Sequence, residues 1–299
     1  MEVVSSGLPE FEYIHAESIE QASTFLLDES KDSRLFMGGT DLFVQMRAGA
    51  RSPSLLVDVK HLPGMNDIQL KPDGSLHVGA AVNLNALARH EDVAEHYALL
   101  AEAAQSVGSY QLRSRATMGG NLCNASPAAD TAPAALVLGA RLIAQSGKDE
   151  RSIPVEAFFL GPGETALQRG EILTRIEFPS PPKRSVGRYL KLGRNAAGDL
   201  AIVGVAVLGF PDDEAPSGYR FRLALSSMAP TPLLVPDVEN ILSGETMNDE
   251  RIQAAARTAQ QAAKPIDDVR ATADYRSAMV EVYARRALKA VWAALRRDN

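Results

Sequence analysis

Hydrophobic positions recur with two different periods along the chain, and the change from one to the other outlines its elements. Ser18-Ile19-Glu20-Gln21 has capping-box spacing, and Ile19, Ala22, Phe25 and Leu26 follow at helical intervals, which predicts a helix packed on a sheet. Residues 34–37 and 55–59 are short apolar runs and read as buried strands; with the helix they predict a small α/β subdomain. Residues 68–70 and 76–80 flank Pro72-Asp73-Gly74 and read as a hairpin. Asn83 is placed to cap a helix through Leu87, and a longer helix is expected over 98–107. A helix-like apolar run covers 134–138. Strands are expected at 140–144, 151–154 and 171–178, the last with alternating faces.

Pro179-Ser180-Pro181-Pro182-Lys183 can continue neither helix nor sheet and marks a linker. Beyond it, strands at 188–192, 201–210 and 219–228 suggest an antiparallel sheet, and two alanine-rich helices, 249–263 and 273–295, are broken by Pro265. Sheet followed by helices indicates an α+β fold class. The expected division is 1–180, with subdomains of about 1–60 and 61–180, and 181–299.

Two stretches carry candidate chemistry. Leu35-Phe36-Met37-Gly38-Gly39-Thr40-Asp41-Leu42 runs from an apolar strand through a tight turn into the amphipathic segment 42–48. Ala116-Thr117-Met118-Gly119-Gly120-Asn121-Leu122-Cys123 sets a second glycine pair after a threonine, followed by the small polar residues Asn124, Ser126 and Asp130. Gly-Gly pairs let backbone turn sharply and approach a ligand, and free N–H groups suit a diphosphate. Either pair alone reads equally as a turn with capping side chains; two in one chain suggest a dinucleotide. Gly-x-Gly-x-x-Gly and Gly-x-x-x-x-Gly-Lys-Ser/Thr are both absent, which disfavours a Rossmann domain and removes a P-loop.

Met37-Gly38-Gly39-Thr40-Asp41 and Ala116-Thr117-Met118-Gly119-Gly120-Asn121 with Ala125-Ser126-Pro127-Ala128-Ala129-Asp130 resemble the paired FAD-binding motifs of the molybdenum hydroxylases. There they belong to the medium, flavin-bearing chain of carbon monoxide dehydrogenase and its relatives, or to the flavin domain of xanthine dehydrogenase. The likeness continues through residues 8–13, Lys191-Leu192-Gly193-Arg194 with residues 199–203, and residues 270–276, in the expected order over nearly the whole chain. It implies a two-subdomain α/β FAD-binding fold of the vanillyl-alcohol-oxidase type, followed by an antiparallel-sheet-plus-helices domain.

The resemblance implies FAD as cofactor, with Gly38, Gly39 and Thr40 on the pyrophosphate and Thr117, Gly120 and Asn121 approaching from the other side. Leu35, Phe36, Met37, Leu42, Ala116, Gly119, Cys123 and Ala129 complete the two motifs. Asp41 and Asp130 match acidic positions that bond flavin hydroxyls or cap helices. Leu173 would meet the adenine or ring edge, and Tyr189 would stack on the ring. Lys191 matches a lysine near the flavin, where a cation raises the potential of the ring; an exposed strand lysine is the competing reading. Cys123 reads as a small buried thiol, so covalent attachment is not expected. The implied enzyme adds a molybdopterin-containing large subunit and a small iron–sulfur subunit with two 2Fe-2S clusters, assembled as a dimer of heterotrimers. Electrons would pass from those clusters through this chain to an external acceptor.

Composition narrows these expectations. Of 299 residues, 45% are hydrophobic and 23% charged, enough for two sizeable cores, and the net charge of -6 argues against nucleic acid as a partner. Basic residues near the C-terminus suit the last turns of a helix. No apolar run nears the roughly 20 residues of a membrane span, and the N-terminus has no signal-peptide pattern, so a cytoplasmic protein is expected. Cys123 is the one cysteine, so any iron–sulfur cluster belongs to another chain. The five histidines show no metal-ligand spacing, and no structural metal is expected.

Gly38-Gly39-Thr40-Asp41 departs from the Gly-Gly-His-Ser or Gly-Gly-Gln-Ser of the carbon monoxide dehydrogenase subgroup, and the cysteine-rich insertion of 4-hydroxybenzoyl-CoA reductase is missing. Both lean toward a xanthine, nicotinate or other aromatic-heterocycle hydroxylase. The alternative is a stand-alone flavin oxidase of the vanillyl-alcohol-oxidase type, which would need its own substrate cavity with an acid or base.

Overall fold

A computed structural model describes residues 7–195 and 198–297. The chain opens with β1 (Glu12–His15), α1 (Ile19–Leu27), β2 (Ser33–Phe36), α2 (Leu42–Arg47) and β3 (Leu55–Asp58). The strands form a parallel sheet in the order β1-β3-β2, so β3, buried throughout, is central. Ser18 Oγ accepts the Gln21 N–H at 3.1 Å at the start of α1, and Gln21 Oε1 accepts the Glu17 N–H, close to the predicted capping box. Because the strands are parallel, the loops leaving their C-terminal ends gather on one side, and the first glycine turn is one of them.

The next unit holds β4 (Ile68–Leu70), β5 (Leu76–Gly79), α3 (Leu84–Arg89), α4 (Glu91–His96), α5 (Ala98–Ser106), α6 (Tyr110–Arg113), α7 (Met118–Cys123) and α8 (Thr131–Val137). It continues through β6 (Arg141–Ser146), β7 (Asp149–Pro154), β8 (Phe159–Gly161), β9 (Glu164–Thr165) and β10 (Ile172–Phe178). Five strands form an antiparallel sheet in the order β4-β5-β10-β6-β7, while β8 and β9 pair separately. The linker begins under restraint: the buried Tyr97 hydroxyl lies 2.7 Å from the Gly74 carbonyl and 3.1 Å from that of Pro179.

Past the prolines come β11 (Val186–Leu192), β12 (Val203–Pro211), β13 (Tyr219–Ser226) and β14 (Leu233–Leu234), an antiparallel sheet in chain order, then α9 (Pro236–Ser243), α10 (Asp249–Ala262) and α11 (Ala273–Leu295). Asn248 and Thr272 cap the last two helices through their side chains. In β12 the even-numbered Ala206, Leu208 and Phe210 join the core of the preceding unit, while Val203, Val205 and Val207 join the core under α9–α11. This explains why β12 reads as a continuous apolar run: both faces are covered. The expected α+β class with a parallel α/β subdomain and an antiparallel C-terminal sheet agrees with this architecture. Among the described residues, no helix is long and apolar enough to cross a membrane.

Candidate cofactor site

A cavity of about 860 Å³ lies between the loop after β2 and the segment from α7 to α8. Its size suits a large cofactor. Both glycine stretches line it, and they touch: a Cβ on Gly38 would lie 3.0 Å from the Arg115 carbonyl carbon and 3.1 Å from Ala116 Cα, and closer still to the Arg115 carbonyl oxygen. Only glycine permits this backbone-to-backbone contact. Gly39 takes φ +70, the left-handed region that turns the chain from β2 toward α2. Among the described residues, no protein acceptor takes the N–H of Gly38, Gly39 or Thr40. Three successive free N–H groups beside a cavity suit an anion.

The second stretch works differently from the expected turn. Gly119 and Gly120 lie in the first turn of α7, and its amides are already bonded within the protein: Met118 to Val82 O, Gly119 to Ala80 O, Gly120 to Thr117 Oγ1 and Asn121 to Thr117 O. Gly119 faces away from the cavity, where a Cβ would lie 2.6 Å from that of Ala80, so it is a packing glycine. Gly120 lines the cavity. Side chains supply the polar groups here. Asn121 Oδ1 accepts the Thr131 hydroxyl at 2.6 Å, and Asn124 Oδ1 accepts Gln45 Nε2 at 3.3 Å across the cleft. Arg51 Nε donates to Gln45 Oε1 at 2.7 Å, which completes a polar bridge between the two subdomains.

The acidic residues are not simple caps. Asp41 precedes α2 but its side chain makes no capping bond; desolvation raises its carboxyl, partly offset by a hydrogen bond with Thr40. Asp130, at the start of α8, also caps nothing. Its buried carboxylate accepts the Tyr189 hydroxyl at 2.7 Å and the Lys191 ammonium at 2.7 Å. Burial raises the Asp130 carboxyl, and these two partners pull it back. Lys191 also donates to the Ser106 carbonyl at 2.9 Å. The expected stacking role of Tyr189 is corrected here: the residue is buried behind Asp130, away from the cavity lining.

Of the residues singled out in the sequence, Leu35, Met37, Gly38, Gly39, Thr40, Asp41, Leu42, Ala116, Thr117, Gly120, Asn121, Cys123, Ala129, Asp130 and Leu173 line the main cavity. Phe36 instead packs edge-on to Tyr13 and beside Phe43. Lys191 lines a neighbouring cavity of about 270 Å³ that meets the main one at Gly198 and Asp199. Burial pushes the Cys123 thiol up to about 12, so it stays protonated and unreactive. Sequence reasoning missed Gly163, the 167–171 loop, Arg34 and Arg51, all of which line the cavity.

The fold also gathers His15, Asp58 and His61 at the ends of β1 and β3, a grouping that residue spacing did not reveal. The carboxylate already has its cation. Lys60 Nζ lies 2.6 Å from Asp58 Oδ2, and the Tyr13 hydroxyl donates to the same oxygen. Burial opposes the charge, but hydrogen bonds from Lys60 and Tyr13 hold the Asp58 carboxyl below its ordinary range.

Two family profiles cover the chain: "FAD binding domain in molybdopterin dehydrogenase" over residues 9–181 and "CO dehydrogenase flavoprotein C-terminal domain" over residues 188–291. The carbon monoxide dehydrogenase medium chain of Hydrogenophaga pseudoflava is 31% identical over 95% of this chain and 98% of its own length. The xanthine dehydrogenase FAD-binding subunit of Escherichia coli O157:H7 is 30% identical over 90% and 92%. The solved carbon monoxide dehydrogenase of Hydrogenophaga pseudoflava superposes with a TM-score of 0.90 over 96% of this chain and 99% of that one, at 31% identity. With the two glycine stretches meeting in one cavity, these similarities establish that the chain belongs to the FAD-binding subunits of the molybdenum hydroxylases.

Proposed function

We propose that this chain is the electron-transfer subunit of a multi-subunit molybdenum hydroxylase, receiving electrons from the iron–sulfur clusters of a small partner chain and passing them to an external acceptor. A molybdopterin-containing large chain would oxidise the substrate, and the assembly would be a dimer of heterotrimers. The observation that carries the reading is the run of free N–H groups at Gly38, Gly39 and Thr40, which line the cavity and meet the second glycine stretch.

The donor set fits FAD. In this reading the free amides hold the diphosphate, and Asn121 and Asn124 offer side-chain partners to its hydroxyls. The apolar Leu35, Leu42 and Leu173 bound the remaining volume. The isoalloxazine supplies the redox chemistry when bound, and the chain's work is to orient it and set its electrostatic surroundings. We take residues 1–180 as the cofactor-binding domain and 181–299 as a domain that braces it.

Purification tests the function. A yellow protein with a flavin spectrum, co-purifying with two further chains that carry iron–sulfur absorption, is expected. Rapid reduction of the flavin by the substrate of the large chain should occur only in the complex. A colourless monomer that binds no FAD would overturn the proposal.

A further inference from the structure

We propose that Tyr189 is a positioning residue for the cofactor cleft: its hydroxyl, seated over Gly204, fixes the ionised Asp130 carboxylate against Lys191 and so sets the charge of the cleft wall. The inference rests on the FAD reading above and concerns residues on both sides of the proline linker.

A carboxylate whose side chain is only 4% exposed is costly unless paired and hydrogen-bonded. Asp130 meets that condition with one donor for each oxygen, Tyr189 on Oδ1 and Lys191 on Oδ2. Both donors stand on β11, two residues apart and therefore on one face, the face turned toward α5 and α8. The Tyr189 side chain reaches across β12. In register, Tyr189 stands opposite Ala206, while Gly204 stands opposite both Lys191 and Ser226. A Cβ on Gly204 would lie 3.2 Å from Tyr189 Cζ and would collide with the Tyr189 and Ser226 hydroxyls. The missing side chain is therefore the socket for the phenol. Ser226 Oγ, at 3.5 Å, is too distant to satisfy that hydroxyl, which points to Asp130.

The groups around Asp130 define what it can sense. β11 contributes Lys191 and Tyr189, whose hydroxyl burial keeps far from ionising. Helix α5 contributes the Ser106 carbonyl, on Lys191, and Glu102, which accepts the Tyr189 backbone N–H and pairs with Arg188. Strand β13 contributes Ser226, whose Oγ lies 3.5 Å from the Tyr189 hydroxyl. Asp199, at the junction with the second cavity, pairs with Arg194. Asp130 is thus the carboxylate that joins the main cavity to Lys191. Its negative charge offsets that of Lys191 at the cleft wall; protonating it leaves the ammonium uncompensated and the wall more favourable to an anionic ligand.

The test is the pH profile of the FAD dissociation constant, measured by fluorescence titration of the full-length chain in its purified, FAD-stripped complex. The unaltered protein should bind FAD more tightly below an inflection that disappears in Asp130→Asn. In Tyr189→Phe, which keeps the ring but loses the hydroxyl, that inflection should move up by about 1–2 pH units, the equivalent of one hydrogen bond to a charged group. Gly204→Ala keeps Tyr189, Asp130 and Lys191 but fills the socket, and should move the inflection the same way. A Tyr189→Phe profile that coincides with the unaltered one overturns the proposal, as does an inflection that survives Asp130→Asn. If the unaltered complex takes up no FAD at all, the cofactor reading itself fails instead.

Discussion

Replacing Gly38 with alanine tests the contact that joins the two glycine stretches. The added methyl would sit 3.0 Å from the Arg115 carbonyl carbon and 3.1 Å from Ala116 Cα, and both obstacles are backbone, so no side chain can swing aside. Restoring ordinary carbon–carbon spacing of about 3.5–4.0 Å requires the two loops to part by about 0.5–1 Å. A hydrogen bond of about 2.9 Å stretched by that amount is largely lost. If the free amides hold the diphosphate as proposed, each such bond is worth about 1.5–3 kcal/mol, so losing two weakens FAD by about 3–6 kcal/mol, or on the order of a hundred- to ten-thousandfold. The assay is calorimetric or fluorescence titration with FAD, alongside circular dichroism to establish that the fold survives. Gly147→Ala is the control: Gly147 has positive φ, which Gly38 does not, but no atom lies within 4 Å of its would-be Cβ. That variant should lose about 1–2 kcal/mol of stability and still bind FAD normally. A Gly38→Ala protein that binds FAD within threefold of the unaltered chain would refute the reasoning.

Further consequences follow from other contacts. Gly120→Val places carbon on the cavity wall and, within 2.8 Å, against the Thr117 hydroxyl that caps α7; FAD content should fall at least tenfold with the far-ultraviolet spectrum preserved. Stoichiometric FAD in that variant would mean the wall is misassigned. Thr117→Ala removes the cap, and should cost about 1 kcal/mol in denaturant unfolding; an unchanged midpoint would count against the cap. Asp268 pairs with Arg270 and with the buried Arg276, whose Nη2 lies 2.6 Å from Asp268 Oδ1. Burial opposes the charge, yet these guanidiniums hold the carboxyl well below its usual range. A depressed folded-state pKa adds stability that is complete above the unfolded value of about 3.9 and is lost as pH falls toward the folded one. Asp268→Asn should therefore cost on the order of 1–3 kcal/mol at pH 7, discounted for the solvent that reaches the carboxylate, and the gap should narrow below about pH 4. A gap independent of pH would exclude the ion pairs as its source.

The first glycine stretch was legible because local chemistry and tertiary role coincide there: an apolar strand, a residue with positive φ and a helix start follow one another within ten residues. The second was legible as a motif but not as a shape. Glycine pairs ordinarily break helices, yet α7 begins on one because close packing against Ala80 and a threonine cap outweigh the propensity. The long-range parts of the site gave no local signal. Tyr189 meets Asp130 across 59 residues and His15 meets His61 through the ends of two parallel strands, so neither contact has a sequence spacing to read. The 167–171 loop has no periodicity, and only the closing of the fold turns it into a cavity wall. By contrast β12, apolar on both faces, was read from its composition alone.

That doubly covered strand makes the proline linker a poor place to divide the protein. A fragment ending near residue 180 would leave α5 and α8 without the surface supplied by Tyr189, Ala206 and Leu208, and would present a bare apolar wall to solvent. The two halves should accordingly melt as one cooperative body, and a graft of the cofactor-binding half onto another protein would have to bring its C-terminal sheet along.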